Sequence, residues 1–391
     1  MKQAVILAAG EGTRLWPFTV NKPKSMLFIT GKPIIQYVIE ALTANGIRDI
    51  IIIVGYKNEY ILDFIGDGSR LGANFRYIHQ DQQLGTAHAL AQAATSTNEE
   101  FLVVSGSKLI MPDTISELVH LPPPAILVRH DTDPNRYGVT YTTNGKLAGI
   151  VEKPAYPESN LINAGTYIFS NEIFNFIGST LGIPDVLNDM IKNGKTITVL
   201  ESQSMWLDVV YPWDILNVNS ILLKYINNEQ NGVIESGVVL KGKVRVGKNS
   251  LIQSNSYIEG PVFIGEGCKI GPNSCILPST CIADNVVINP FCQISNSVIE
   301  NNVIVGSGSI IQDSVMDNGC LVGSHFSSCG EETEIVIGKE INKTKIGAMI
   351  GEGNKIGNGV TCLSGVIVGN FCQIKSHKLI SGKIPDRSRV L

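Results

Sequence analysis

Near the amino terminus, the segment Leu7-Ala8-Ala9-Gly10-Glu11-Gly12-Thr13-Arg14-Leu15 combines small side chains, two glycines and an arginine. The backbone amides of such a loop can gather around the oxygens of a triphosphate, and Arg14 adds a fixed positive charge. Leu7, Ala8, Ala9, Gly10, Gly12 and Thr13 are therefore candidate nucleotide contacts. The loop does not fit a dinucleotide fingerprint, because Leu15 stands where the third glycine belongs, and it carries no P-loop lysine. Its flanks have the grammar of an α/β domain. Val5–Ala8 is a buried strand leading into the loop, and Ile34, Ile35, Val38, Ile39 and Leu42 recur at helical spacing up to Asn45-Gly46. The β-branched run Ile50–Val54 then completes a βαβ unit. A helix from about Thr86 to Ala94 precedes a strand at Phe101–Ser105, which suggests a largely parallel sheet with its ligand site at the strand ends.

Further motifs follow in order: Arg14-Leu15-Trp16-Pro17, Lys22-Pro23-Lys24-Ser25-Met26-Leu27, Gly31-Lys32-Pro33, Gln80 with Leu84-Gly85-Thr86-Ala87, Tyr137-Gly138-Val139, Val151-Glu152-Lys153-Pro154, Asn163-Ala164-Gly165 and Trp206-Leu207-Asp208-Val209. Together with the glycine loop this set resembles the sugar-1-phosphate nucleotidylyltransferases, which join a nucleoside triphosphate to a sugar phosphate and release pyrophosphate. The resemblance implies catalytic roles for Arg14 and Lys24 at the phosphates. It assigns the nucleobase to Gln80, Gly85 and Thr86, the sugar to Gly138, Glu152 and Asn163, and Mg²⁺ to Asp208. A side-chain amide such as that of Gln80 can meet the imide edge of uracil or thymine with a donor and an acceptor at once, which favours dTTP or UTP. The reaction is an in-line attack on the α-phosphorus, governed by positioning and charge neutralisation.

One expected ligand is missing. Where the family has Gly-Asp after the strand, this chain has Gly106-Ser107-Lys108. Serine is a weaker, neutral ligand, and Lys108 next to it adds a positive charge if it points inward, so the Mg²⁺ site is expected to be attenuated.

From about residue 233 a six-residue period takes over. Val246, Ile252, Ile258, Ile264, Ile270, Ile276, Ile282, Ile288 and Ile294 are evenly spaced; the series slips by one residue, continues at Ile299, Val305 and Ile311, and returns at Ile350, Ile356, Cys362, Val368 and Ile374. Each hexapeptide supplies a short strand and a corner, so three make one triangular coil. The pattern is similar to the left-handed parallel β-helix of hexapeptide-repeat acyltransferases, and that resemblance implies a homo-oligomer, trimer-based through the helix faces. The segment from Gln312 to Lys345 reads as a loop thrown out of the coil. The fold expected is thus a Rossmann-like α/β nucleotidyltransferase domain over residues 1–228, followed by an all-β left-handed parallel β-helix over 229–391.

This layout resembles the bifunctional N-acetylglucosamine-1-phosphate uridylyltransferase/glucosamine-1-phosphate acetyltransferases, with archaeal glucose-1-phosphate thymidylyltransferase-like proteins as further kin. In the acetyltransferase register Ser307 and Ile310 fall where the family has its histidine base and tyrosine, so acetyl-CoA chemistry is not expected. All eight cysteines lie at or beyond Cys268 without metal-ligand spacing, which suits buried structural thiols. A net charge of −4 offers no basic stripe for nucleic acid, and no apolar run is long enough for a membrane span; a cytoplasmic protein is expected. The main alternative to an enzyme is a regulatory binding subunit working beside an active paralogue, with a hexapeptide acetyltransferase acting on an amino-sugar-1-phosphate ranked below it.

Overall fold

A computed structural model describes residues 1–337 and 340–391. The chain forms two compact units, one of residues 1–11, 22–26 and 33–208, the other of residues 12–21, 27–32 and 209–391.

The first unit is built on a nine-stranded sheet in the order Asn74–His79, Asp49–Val54, Gln3–Leu7, Glu100–Ser105, Leu161–Ser170, Ala125–His130, Thr198–Glu201, Lys146–Glu152, Gly138–Thr143. The first four strands are mutually parallel. Val5, Ile6, Ile50 to Ile53, Leu102 and Val103 are wholly enclosed, which is why these strands read as unbroken apolar runs rather than alternating ones. Helix Ile34–Ala44 turns Ile35, Val38, Ile39 and Leu42 into the core on one face of the sheet, with Ile6, Ile50, Ile52 and Leu102, and ends before Gly46, whose φ of +74° a residue with a side chain rarely adopts.

The sheet is largely parallel, as the βαβ spacing suggests, with two reversed strands; Ala125–His130 and Thr198–Glu201 pair parallel with each other. Leu161–Ser170 is antiparallel to both of its main neighbours, and Gly138–Thr143 pairs antiparallel with Lys146–Glu152. For the second of these pairs the cause is local: Asn144 and Gly145, at φ +51° and +72°, make a two-residue turn that can only join antiparallel strands.

At the carboxyl ends of the parallel strands the chain is tied together by backbone bonds, Ala8 N–H to Ile53 O at 2.9 Å and Gly106 N–H to Leu7 O at 2.9 Å. Beyond Gly106 a short antiparallel ribbon pairs Lys108–Ile110 with Trp206–Asp208, with Asp208 opposite Lys108. This ribbon, rather than the main sheet, positions two of the charged groups of the candidate site.

The second unit is a parallel β-helix of the left-handed, six-residue-repeat type, with three faces of nine, nine and eight strands. One face stacks Val246, Ile264, Ile282, Ile299, Met316, Ile350, Val368 and Ile384 in register; the next stacks Ile252, Ile270, Ile288, Val305, Val322, Ile356, Ile374 and Val390. The step from Ile282 to Ile299 is the slip seen in the sequence. Asn249, Asn255, Asn273, Asn285 and Asn302 take positive φ at corners, a backbone state that asparagine tolerates better than most side chains. Cys268, Cys281, Cys292, Cys320, Cys362 and Cys372 are buried, while Cys329 is exposed.

The excursion from the coil is shorter and more regular than the sequence suggests. Residues 312–330 continue the coil through Val315–Met316, Leu321–Val322 and Ser327–Ser328. Only then does an antiparallel hairpin, Glu331–Ile337 with Glu340–Ile346, leave it; residues 338 and 339, inside the expected loop, lie outside the described residues. Residues 12–21 and 27–32 pack within this second unit: Thr30 Oγ1 donates to Asn219 Oδ1 at 2.9 Å, Asn370 Nδ2 to Pro17 O at 3.1 Å, and Asn21 Nδ2 to Glu352 Oε2 at 2.8 Å. Gly31 lies so close to the Phe263 ring that a β-carbon would fall 2.3 Å from it.

Candidate functional site

The charged centre of the first unit is built by two short elements. Lys24 opens the 3₁₀ turn Lys24–Met26, and Asp208 ends one strand of the ribbon; Lys24 Nζ and Asp208 Oδ1 are 2.7 Å apart, with side chains only 19% and 5% exposed. Such a pair depends on both partners, because removing either leaves a charge enclosed without its counter-ion.

Opposite Asp208 in register stands Lys108, and it points inward. Its Nζ lies 5.0 Å from the centre of the Trp206 ring, 5.8 Å from that of Tyr137, and 3.5 Å from the carbonyl of Ala164. The same carbonyl accepts a hydrogen bond from Trp206 Nε1 at 3.0 Å. As a residue Lys108 keeps some exposure, but its ammonium is surrounded by protein, and this burial pulls its pKa below the usual lysine range. The negative charge of Asp208 works against that shift, and Lys24 reinforces it. Gly165 makes room: a β-carbon there would sit 3.0 Å from Lys108 Nζ, and the φ of +74° suits glycine.

Next to this centre the three expected sugar contacts come together. A β-carbon on Gly138 would lie 2.9 Å from Glu152 Oε2 and 3.6 Å from the β-carbon of Asn163. Gly138 and Glu152 face each other across the hairpin. Asn163 is buried, and its amide is engaged at both ends, accepting from Gly165 N–H at 2.8 Å and donating to the Tyr167 hydroxyl at 2.7 Å. It therefore shapes the turn that admits Lys108.

The expected nucleobase residues gather after Asn74–His79. Gln80 is buried, with Nε2 donating to Gly85 O at 3.3 Å and to His88 Nδ1 at 2.8 Å, so both donors are used within the protein and, of the donor and acceptor expected for a nucleobase, Oε1 alone is left. Thr86 Oγ1 accepts from Ile183 N–H at 3.0 Å and thereby anchors the start of helix Ile183–Lys192. Ala9 and Gln83 flank Gly55, where a β-carbon would lie 3.0 Å from Ala9 Cβ and 2.6 Å from Gln83 Nε2. The glycine loop itself is divided: residues 7–11 belong to the first unit, whereas Gly12, Thr13 and Arg14 belong to the second. There Gly12, at φ +72°, starts the 3₁₀ turn Thr13–Leu15, and its carbonyl accepts from Thr19 Oγ1 at 2.8 Å.

The donor set does not suit a protein-held Mg²⁺. Asp208 is already paired with Lys24, Ser107 Oγ lies 3.2 Å from Ser105 Oγ, and Lys108 brings a second ammonium. Among the described residues no group of three His, Cys, Asp or Glu side chains converges.

Residues 3–224 match the family model of the nucleotidyl transferases. The chain belongs to the nucleotidyl transferase family. Residues 258–345 also match a GMPPB C-terminal domain model. This chain is 33% identical to the bifunctional protein GlmU of Methanococcus maripaludis, over 99% of this chain and 96% of that one. It is 35% identical to a bifunctional sugar-1-phosphate nucleotidylyltransferase/acetyltransferase of Sulfurisphaera tokodaii, over 95% of each chain. A Bacillus anthracis protein assigned as a glucose-1-phosphate thymidylyltransferase, solved with sucrose, matches with 28% identity and a TM-score of 0.53, covering 59% of this chain and 98% of that one.

No motif in the sequence marks Arg129. Its guanidinium lies 5.3 Å from the centre of the Trp206 ring and Nη1 donates to Trp206 O at 3.0 Å, so Trp206 is held by cations from both Lys108 and Arg129. The only hint was a charge at the end of the apolar run Ala125–Val128.

Proposed function

We propose that the chain is a sugar-1-phosphate nucleotidylyltransferase that uses a pyrimidine nucleoside triphosphate, dTTP or UTP, with a metal site attenuated by Ser107. A phosphate oxygen of the sugar phosphate forms a bond to the α-phosphorus, the α–β bridge breaks, and pyrophosphate leaves. The observation that carries the reading is the adjacency of the Lys24–Asp208 pair and Lys108 to the cluster of Gly138, Glu152 and Asn163. Cations beside hydroxyl-binding groups suit a phosphorylated sugar, and fixed charges around a transferring phosphoryl group stabilise its transition state. The acceptor Oε1 of Gln80 matches the imide N–H shared by uracil and thymine. The named activities of the Sulfurisphaera and Bacillus relatives support the same class of substrates.

A second reading, a binding subunit with little turnover, is favoured by one observation: Lys108 stands across from Asp208, beside Ser107 at the position expected for a carboxylate. Pyrophosphate release is the test, measured with Mg²⁺, each of several nucleoside triphosphates and a panel of hexose 1-phosphates, for the unmodified protein and Ser107→Asp. Turnover by the unmodified protein with dTTP or UTP is expected, raised at least tenfold by Ser107→Asp. Turnover by Ser107→Asp alone establishes the binding subunit, and release from neither protein sinks both the enzyme and its repair.

A further inference from the structure

The misfit between this pocket and a divalent cation has a positive counterpart. Lys108 is not a surface lysine beside a damaged site; it is built in. The ribbon register places it across from Asp208, Gly165 leaves space for its ammonium, the Ala164 carbonyl lies 3.5 Å from it, and Trp206 and Tyr137 wall it. Lys24 completes a group of two ammonium ions around one carboxylate. That group carries one positive charge in excess. A pocket with two carboxylates, a divalent ion and one lysine carries the same excess, so the net charge presented to an incoming phosphate is the same.

We propose that Lys108 takes the place of a protein-bound divalent cation, so that this pocket binds phosphate groups with its own ammonium ions and without a metal ligated by Asp208. The inference deepens the nucleotidylyltransferase reading, on which it rests for the kind of ligand, but it concerns phosphate binding rather than turnover. Lys108 is a positioning and charge-supplying group here. Two sources of phosphate fit the chemistry, the pyrophosphate part of a nucleoside triphosphate and the phosphate of a sugar.

The test uses the full chain and needs no turnover. Inorganic pyrophosphate and glucose 1-phosphate are titrated separately by calorimetry with excess chelator and again with Mg²⁺, for the unmodified protein, Lys108→Met and Ser107→Asp. Mn²⁺ uptake by the ligand-free proteins, and by Ser107→Asp/Lys108→Met, is followed by electron paramagnetic resonance. Binding by the unmodified protein is expected to change less than about threefold between chelator and Mg²⁺ and to weaken at least tenfold in Lys108→Met for one of the two ligands, which identifies the source. Ser107→Asp gives a second arm if Lys108→Met does not fold, because a new carboxylate beside Lys108 neutralises it and weakens binding in chelator alike. Mn²⁺ is expected to bind the two variants that carry Ser107→Asp and not the unmodified protein. Phosphate binding that disappears in chelator, or that survives both single substitutions unchanged, overturns the proposal, as does Mn²⁺ uptake by the unmodified protein that Asp208→Asn removes. Failure of the nucleotidylyltransferase reading has a different signature: no pyrophosphate release from any triphosphate, with phosphate binding and its dependence on Lys108 intact.

Discussion

Ile270 in the β-helix has equivalents above and below it, Ile252 and Ile288, each buried on the same face of an adjacent coil. Lys108 in the first unit has none. Its surroundings are assembled from a ribbon, a turn at Asn163 to Gly165, and two aromatic rings, and each part comes from a different stretch of chain. The contrast teaches where specificity can be lost. A repeat spreads its stabilisation over many like contacts, so one residue alters one coil and its neighbours. A charged pocket concentrates its properties in a few groups, so one residue alters the sign of the field.

The largest expected effect tests that concentration. Asp208→Ala removes the counter-ion of Lys24 and leaves two ammonium groups facing each other in a largely enclosed space. Loss of about 3–5 kcal/mol of stability is expected in a denaturant titration, as for other broken buried pairs, together with loss of pyrophosphate release. A stability change below about 1 kcal/mol means that water reaches the pair and that the pocket is not concentrated in the sense argued above. Ile270→Ala tests the other side. Removing a fully buried branched side chain typically costs about 2–5 kcal/mol, and Ile288→Ala is expected to cost the same within about 1 kcal/mol because its surroundings repeat. Unequal costs, read from denaturation midpoints at constant slope, break the equivalence of the coils.

What was legible follows the same division. The coil could be read from Val246 to Ile311, including the slip before Ile299, and again from Ile350, since a period that recurs over whole coils needs no knowledge of distant partners; the stretch Val315–Ser328, which steps five residues from Ile311 to Met316, was not. The hairpin at Glu331–Ile337 and Glu340–Ile346 was hidden because its Glu- and Lys-rich strands are largely exposed and read as polar loop. In the first unit the apolar runs announced the parallel strands, while of the two reversed strands only Lys146–Glu152 was signalled, by Asn144-Gly145. The nucleotide loop was legible as a motif, but not the packing of residues 12–21 and 27–32 with Asn219, Phe263, Glu352 and Asn370, which depends on partners far away in sequence. The inward aim of Lys108 was equally out of reach: it follows from the pairing of two three-residue strands almost a hundred positions apart.

The smallest expected effect separates the charge of Lys108 from its packing. Burial lowers its pKa in the folded protein below 10.5, with Asp208 and Glu152 opposing the shift and Lys24 and Lys153 adding to it. The unfolded chain therefore holds the proton more tightly than the folded one. Between the depressed value and 10.5 the unfolded state binds more protons, so stability must rise with pH in that window, by no more than about 1.4 kcal/mol per pH unit for a single group. Below the window both states are protonated, and the contribution is flat at its least favourable. Other groups act in the opposite sense: burial raises the pKa of the Cys268 thiol to about 11 and of the Cys320 and Cys362 thiols to about 12, so they lose stability as the unfolded chain ionises above 9. These terms are shared by Lys108→Met and cancel in the difference. Subtracting the variant's stability from that of the unmodified protein, by urea titration across the alkaline range, is expected to leave a rising segment that ends near 10.5. Inorganic pyrophosphate at saturation is expected to flatten it, because a bound anion restores the proton to the folded state. A flat difference without ligand means that solvent reaches the ammonium, and the pocket then holds a lysine but not a buried cation.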